Sequence, residues 1–258
     1  MGILNITPDS FYDGGRFTDN DAILQQVQKM LDEGASIIDV GGMSSRPGAE
    51  NIPLKEELDR VLPVIELLKK NFGDILISID TVKAEVARQA IATGASLVND
   101  ISAGTMDETM YPTVAELGVP YVLMHMQGRP ENMQQKPSYE AIIEEVLDFF
   151  IAQIGQLRAL GVKDIILDPG FGFGKTMEHN YTLLKKMHVF QMLNLPILAG
   201  LSRKSMIYKK LKTTPDLALN GTSVLNLVAL QQGARILRVH DVKEAREVIQ
   251  LWTQLENS

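Results

Sequence analysis

The chain has 258 residues, 45% hydrophobic and 22% charged, with a formal net charge of −7 and no cysteine. No apolar run is long enough to span a membrane and no signal-peptide order opens the chain, so a cytoplasmic address without a membrane partner is expected. The acidic balance argues against non-specific nucleic-acid binding, and the missing cysteine removes disulfides, thiolate nucleophiles and zinc–thiolate sites.

From the N-terminus, short β-rich apolar runs alternate with longer segments of helical period. "GILNI" at 2–6 precedes a helix predicted over 20–33; "SIIDVGG" at 36–42 precedes one over 54–71. "ILISID" at 75–80 leads to a helix over 82–92, followed by "SLVND" at 96–100 and "PYVLMHM" at 120–126. A helix over 139–160 leads to "DIILDPG" at 164–170, and one over 178–192 to "PILAG" at 196–200. "RILRVH" at 235–240 comes last, before a helix over 242–255. Continuous apolar runs suit strands buried on both faces, hence a parallel sheet covered by helices. Eight such units without a linker predict a single α/β domain over residues 1–258. They favour a closed (β/α)8 TIM barrel over an open doubly wound sheet, although strand count alone does not show closure.

The strand ends carry polar residues: Asn5, Asp39, Asp80, Asn99, His125, Asp168, then Arg238 with His240. Any one of these reads as a turn former or helix cap. A polar residue at nearly every strand end is harder to explain that way, because barrel enzymes assemble their sites at that face from several strands at once. The loop "LDPGFGFGKT" at 167–176 nearly spells a P-loop, but Pro169 stands where a backbone N–H should meet phosphate. The dinucleotide pattern fails as well, by one residue. The loop carries Asp168 out of its strand, and its glycines are expected to let a ligand approach the backbone.

The motifs "MGILNITPDSFYDGG", "SSRPGA", "SIDT", "ND", "LMHMQG", "LDPGFGFGK", "LSRKSMI" and "RVHDV" follow one another along the whole chain. In that order they resemble the dihydropteroate synthase family of folate synthesis. The resemblance implies a barrel enzyme that joins p-aminobenzoate to 6-hydroxymethyl-7,8-dihydropterin pyrophosphate and releases pyrophosphate, with Mg²⁺ assisting. Pyrophosphate would leave first, giving a carbocation that the arylamine attacks.

Carried onto this chain, the resemblance implies that Asp80, Asn99, Asp168 and Lys204 hold the pterin ring, with Met124 and Phe173 walling its flat faces. A carboxylate can accept an exocyclic NH2 and a ring N–H side by side, and Asp168 suits that bidentate role. Asn5, Arg238 and His240, joined by Arg46, are expected at the pyrophosphate, forming the basic cluster that an acidic chain needs for an anionic substrate. Asn5 would bind Mg²⁺ through its amide oxygen. The p-aminobenzoate slot would form from two loops, with Phe11 and Pro47 on the ring, Ser45 nearby, and Ser205 with its helix N-terminus at the carboxylate. Asn5, Lys204, Arg238 and His240 are the expected catalytic residues. A homodimer is also implied, and Val248, Leu251, Trp252 and Leu255 offer an apolar stripe that core packing explains equally well.

The chain departs from the family pattern at Met43, where a Glu is usual, at Ser45, where a Thr is usual, and at Tyr208, where a small residue is common. It also starts directly at its first strand, without the hairpin that often plugs such barrels, which implies either a less covered barrel bottom or a sequence shortened at that end. Two other readings compete. A methyltetrahydrofolate methyltransferase domain shares the barrel but has no use for "SRKS" or "RPG". A pterin-binding protein without catalysis has no use for an anion cluster.

Overall fold

The structure, a computed structural model, describes residues 1–6, 16–43, 52–128, 133 and 137–258, with backbone only for 16–19. Its strands are β1 Gly2–Asn5, β2 Ile37–Gly41, β3 Leu76–Asp80, β4 Leu97–Asp100, β5 Tyr121–Met124, β6 Ile165–Asp168, β7 Ile197–Ala199 and β8 Ala234–Leu237. They lie side by side in chain order and every neighbouring pair is parallel. Val239 closes the ring. It bridges Gly2, donates its N–H to Met1 O at 3.0 Å and accepts from Ile3 N at 3.0 Å. Because the first and last strands are joined, the open sheet is excluded and the (β/α)8 barrel stands.

The helices among the described residues are α1 Arg16–Asp32, α2 Leu54–Phe72, α3 Ala84–Thr93, α4 Met110–Leu117, α5 Ile142–Ala159, α6 Met177–Lys185, α7 Ser205–Tyr208, α8 Leu219–Gln231 and α9 Val242–Glu256. Helix α2 shows why the sequence folds locally as it does. Pro53 stands before its start, Glu56 and Glu57 occupy its first turn and Lys69 and Lys70 its last, each complementing the helix dipole. The helix predicted over 178–192 is two pieces: α6, then a 3-10 segment at Met187–Leu193. Thr176 fixes the start of α6 reciprocally, since its hydroxyl accepts from His179 N at 3.1 Å while its own N–H donates to His179 Nδ1 at 3.2 Å.

Side chains on the strands alternate between two buried layers. Ile38, Val40, Ile77, Ile79, Tyr121, Leu123, Ile165 and Leu167 join a core with Val61, Ile65, Leu68, Val86, Phe150 and Leu157 of the helices. The other parity gives a plug inside the barrel, where Leu97, Val122 and Leu198 pack with Ile37, Ile166 and Ile236. Burial on both faces explains the continuous apolar runs in the sequence.

Candidate active site

The residues two positions beyond the plug share its face of the strand and form the next layer toward the C-terminal mouth. Ile37 leads to Asp39, Leu97 to Asn99, Val122 to Met124, Ile166 to Asp168 and Ile236 to Arg238. Register aligns the layer: Asn5 pairs with Gly41, Gly41 with Asp80, Asp80 with Asn99, and Met124 with Asp168. Asp39 differs from its expected place at the strand end. The strand runs on through Gly41, so Asp39 is fully buried within the mouth.

A cluster of charge crosses this layer. Arg238 Nε donates to Asp39 Oδ2 at 2.6 Å and Nη2 to Asp80 Oδ2 at 2.6 Å, while Asn99 Nδ2 donates to Asp39 Oδ2 at 3.0 Å. Burial pushes Asp80 up to about 7, with Arg238 opposing and Asp39 adding to the rise. Burial acts against the Arg238 charge too, but Asp39 and Asp80 outweigh it and the guanidinium is held more firmly protonated than usual. Asp39 Oδ1 is buried without a hydrogen-bond partner among the described residues.

Next to this charge, the exits of β3, β4 and β5 are apolar. Met124, Val82 and Ile101 form a small buried cluster against which Met43, Met106, Met126 and Phe173 pack. Met43, which departs from the family's usual Glu, is therefore part of an apolar lining. Asp168 Oδ1 accepts from Gly170 N at 2.8 Å. Burial raises the Asp168 pKa, and Lys204 is the largest influence opposing that rise. Lys204 Nζ sits 4.7 Å from the centre of the Phe173 ring and also donates to Phe171 O. Burial lowers the Lys204 amine to about 8, with Asp168 pulling it back up. A flat ligand here would meet carboxylate, amide and ammonium at its edge and thioether and aromatic carbon on its faces.

Beyond this cleft, His240 is exposed at the mouth, and Ser202 holds it. Ser202 Oγ lies 2.9 Å from His240 Nδ1 and accepts from His240 N at 3.2 Å. Next to it Arg203, at a left-handed φ of 55°, forks onto Asp241 with bonds of 2.9 and 2.6 Å. The fork ties the loop after β7 to the loop after β8. The sequence reading did not assign Ser202 or Arg203; their signal was the "SRKS" run itself. Ser205 opens α7 as expected, but α7 is four residues long. So short a helix sums too few peptide dipoles to draw a carboxylate, and what Ser205 offers is its hydroxyl and N–H.

Two glycines of the loop serve backbone packing, whereas a Cβ at Gly172 would meet only the Lys204 side chain, at 3.3 Å. A Cβ at Gly170 would fall 1.9 Å from His125 O, and one at Gly174 would fall 2.2 Å from Gln127 O. These glycines, both at positive φ, let the loop lie backbone to backbone on the exit of β5 rather than admit a ligand.

Asn5 is half-buried beside Asp80, since a Cβ at Gly41 would lie 3.6 Å from both Asn5 Oδ1 and Asp80 Oδ2. Asn5 Oδ1 and the Asp80 carboxylate are hard oxygens, the donor type that Mg²⁺ selects, and Asp80 Oδ2 is already engaged by Arg238. No group of three or more His, Asp or Glu side chains is gathered for a metal among the described residues. Phe11, Ser45, Arg46 and Pro47 lie outside the described residues.

Comparison with known proteins agrees with the fold. Residues 1–240 match the family model described as pterin binding enzyme. The chain is 45% identical to the dihydropteroate synthase of Haemophilus influenzae, covering 100% of this chain and 94% of that protein. It is 45% identical to that of Escherichia coli K12, covering 97% of this chain and 89% of that protein. Among solved structures, Yersinia pestis dihydropteroate synthase in a sulfonamide drug complex superposes with a TM-score of 0.94 at 43% identity, covering 100% of this chain and 94% of that one. Xanthomonas albilineans dihydropteroate synthase with 4-aminobenzoic acid superposes with a TM-score of 0.93 at 39% identity, covering 100% and 93%.

Proposed function

The chain belongs to the dihydropteroate synthase family, and from that premise we propose how its strand ends divide the work of the reaction. It is a transferase of folate biosynthesis that condenses 6-hydroxymethyl-7,8-dihydropterin pyrophosphate with p-aminobenzoate, giving 7,8-dihydropteroate and pyrophosphate. Asp168 anchors the pterin by accepting the exocyclic NH2 and the neighbouring ring N–H. Asn99 meets the mixed donor and acceptor edge, Asp80 accepts a further ring N–H, and Lys204 donates to the oxo group. Met124 and Phe173 cover the two faces. The observation that carries this reading is the layer itself: Asp80, Asn99 and Asp168 are buried in one ring above an apolar plug, beside the cluster that Phe173 packs on.

Asn5, Arg238 and His240, with Arg46 from the second loop, receive the pyrophosphate. The guanidinium has five donors and spends two on Asp39 and Asp80, so others remain for an anion. Their aim at the departing oxygens is the main protein contribution to rate, because charge develops there as the bond breaks. Mg²⁺, held through Asn5, supplies charge neutralisation of the leaving group when bound. Phe11 and Pro47 stack the p-aminobenzoate ring, with Ser45 beside it and Ser205 at its carboxylate. The relatives solved with 4-aminobenzoic acid and with a sulfonamide support that slot and sulfonamide competition for it.

Residues 1–258 act as one pterin-binding barrel domain in this reading. A homodimer is supported by α9, where Leu251 and Leu255 are exposed while Val248 and Trp252 pack inward. A cytoplasmic address is consistent with the finding that no helix among the described residues is long and apolar enough to cross a membrane. The test is turnover with pterin pyrophosphate and p-aminobenzoate, monitoring both products. Equal release of dihydropteroate and pyrophosphate, dependent on Mg²⁺, is expected; pterin binding without pyrophosphate release would sink the reading.

A further inference from the structure

Lys175 is 3% exposed and takes no part in the site as read above. In sequence it stands where a P-loop lysine would reach for phosphate. In the fold it turns back into its own loop. Its Nζ lies 2.9 Å from Gly170 O, 3.0 Å from Phe173 O, 3.2 Å from His125 O and 3.0 Å from His125 Nδ1. Burial lowers this amine to about 7, with Asp168 pulling it back up; when it is protonated its three protons face four acceptors, and each can be satisfied.

The acceptors explain the lysine. Gly170 and Gly174 bring two stretches of backbone so close that no side chain fits between them. Carbonyls from both stretches converge there, and buried acceptors without a donor would be costly. Lys175 supplies the donor. Of the residues it binds, Gly170 gives its N–H to Asp168 Oδ1, Phe173 carries the wall ring, and His125 follows Met124. His125 N also donates to Asp168 O at 2.9 Å.

Resting on the reading of Asp168 as the pterin anchor, we infer that Lys175 is a positioning residue of the pterin site. Its ammonium locks residues 169–174 onto the exit of β5, and so fixes the direction of the Asp168 carboxylate and the height of the Phe173 ring. His125 then accepts through Nδ1 and keeps its own proton on Nε2, with its ring edge-on to Phe149 at 4.9 Å.

Lys175→Met removes the ammonium and keeps most of the stem. Calorimetry on the folded variant should show affinity for 7,8-dihydropterin reduced roughly 10- to 100-fold, with inorganic pyrophosphate binding unchanged. Because the chain has no cysteine, Lys175→Cys offers a unique thiol. Aminoethylation in denaturant, then refolding, restores an amine of nearly the original length and should restore pterin affinity. Wild-type pterin affinity in Lys175→Met, or equal losses for both ligands, would overturn the assignment. If Lys175→Met does not fold, nitrogen-15 spectra of the unmodified protein at about pH 6 decide instead. A His125 proton on Nε2 supports the lock; one on Nδ1 overturns it. Asp168→Asn measured alongside separates the two claims. Should it keep full pterin affinity, the anchor reading fails; should it lose affinity while Lys175→Met does not, only the lock fails.

Discussion

Arg238 Nη2 and Asp80 Oδ2 lie 2.6 Å apart although 158 residues separate them in the chain. With Asp39 on Nε at 2.6 Å, the pair fastens the exit of β8 to β2 and β3 across the barrel mouth. One guanidinium thus serves two buried carboxylates. Arg238→Met would leave both unpaired and should destabilise the fold by about 3–5 kcal/mol. The sign with pH follows from proton binding. Unpaired buried carboxylates have folded pKa values above their unfolded ones, so the native state holds more protons and stability falls as pH rises. Urea unfolding should therefore show a wider gap from wild type at pH 8 than at pH 5. A gap independent of pH would mean the carboxylates are compensated elsewhere.

Lys204 gives a pH dependence of binding. Burial lowers its amine to about 8, so above that pH the ammonium proposed to donate to the pterin oxo group is lost. Dihydropterin affinity should fall as pH climbs past about 8. Lys204→Gln should bind more weakly but without that fall, and its curve also reports any titration of the ligand itself. In the absence of ligand the sign is opposite. A folded pKa below the unfolded value makes stability rise with pH from about 8 toward the unfolded range. Parallel binding curves for the two proteins would remove Lys204 from the pterin edge.

The arylamine slot predicts an order of binding. Phe11 and Pro47 sit on the proline- and glycine-bearing segments "TPDSFYDGG" and "SSRPGAE". If both reach stacking geometry only over bound pterin pyrophosphate and Mg²⁺, p-aminobenzoate should bind the bare enzyme weakly. Phe11→Ala should weaken p-aminobenzoate and a competing sulfonamide together while leaving pterin affinity intact. Tight p-aminobenzoate binding to the bare enzyme, indifferent to Phe11→Ala, would exclude this arrangement.

Much of the fold was legible because a two-residue strand period leaves a mark in sequence. The same alternation that places Leu97, Val122 and Ile166 in the plug places Asn99, Met124 and Asp168 above it. What could not be read was contact across the ring. The Arg238 pairs with Asp39 and Asp80 depend on closure, which no local pattern encodes. Helix α8 left little periodic signal because its buried face carries Thr222 and Asn226 while Val224 is exposed. Lys175 was visible only as part of a P-loop pattern that Pro169 breaks, and no role for it could be read. A loop motif records which residues are present, whereas the side chain's direction was set by the carbonyls of His125, Gly170 and Phe173.

The division of the site into a pterin half and a pyrophosphate half is tested most directly by crossed calorimetric titrations of Asp168→Asn and His240→Ala. Each folded variant is titrated with 7,8-dihydropterin and separately with pyrophosphate and Mg²⁺. Asp168→Asn should lose about 1–3 kcal/mol of pterin affinity, the usual cost of unpairing buried polar groups, and keep its pyrophosphate affinity. His240→Ala should bind pterin normally, bind pyrophosphate more weakly and turn over more slowly. Unchanged pterin affinity in Asp168→Asn, or a His240→Ala variant that loses pterin but not pyrophosphate, would contradict the division.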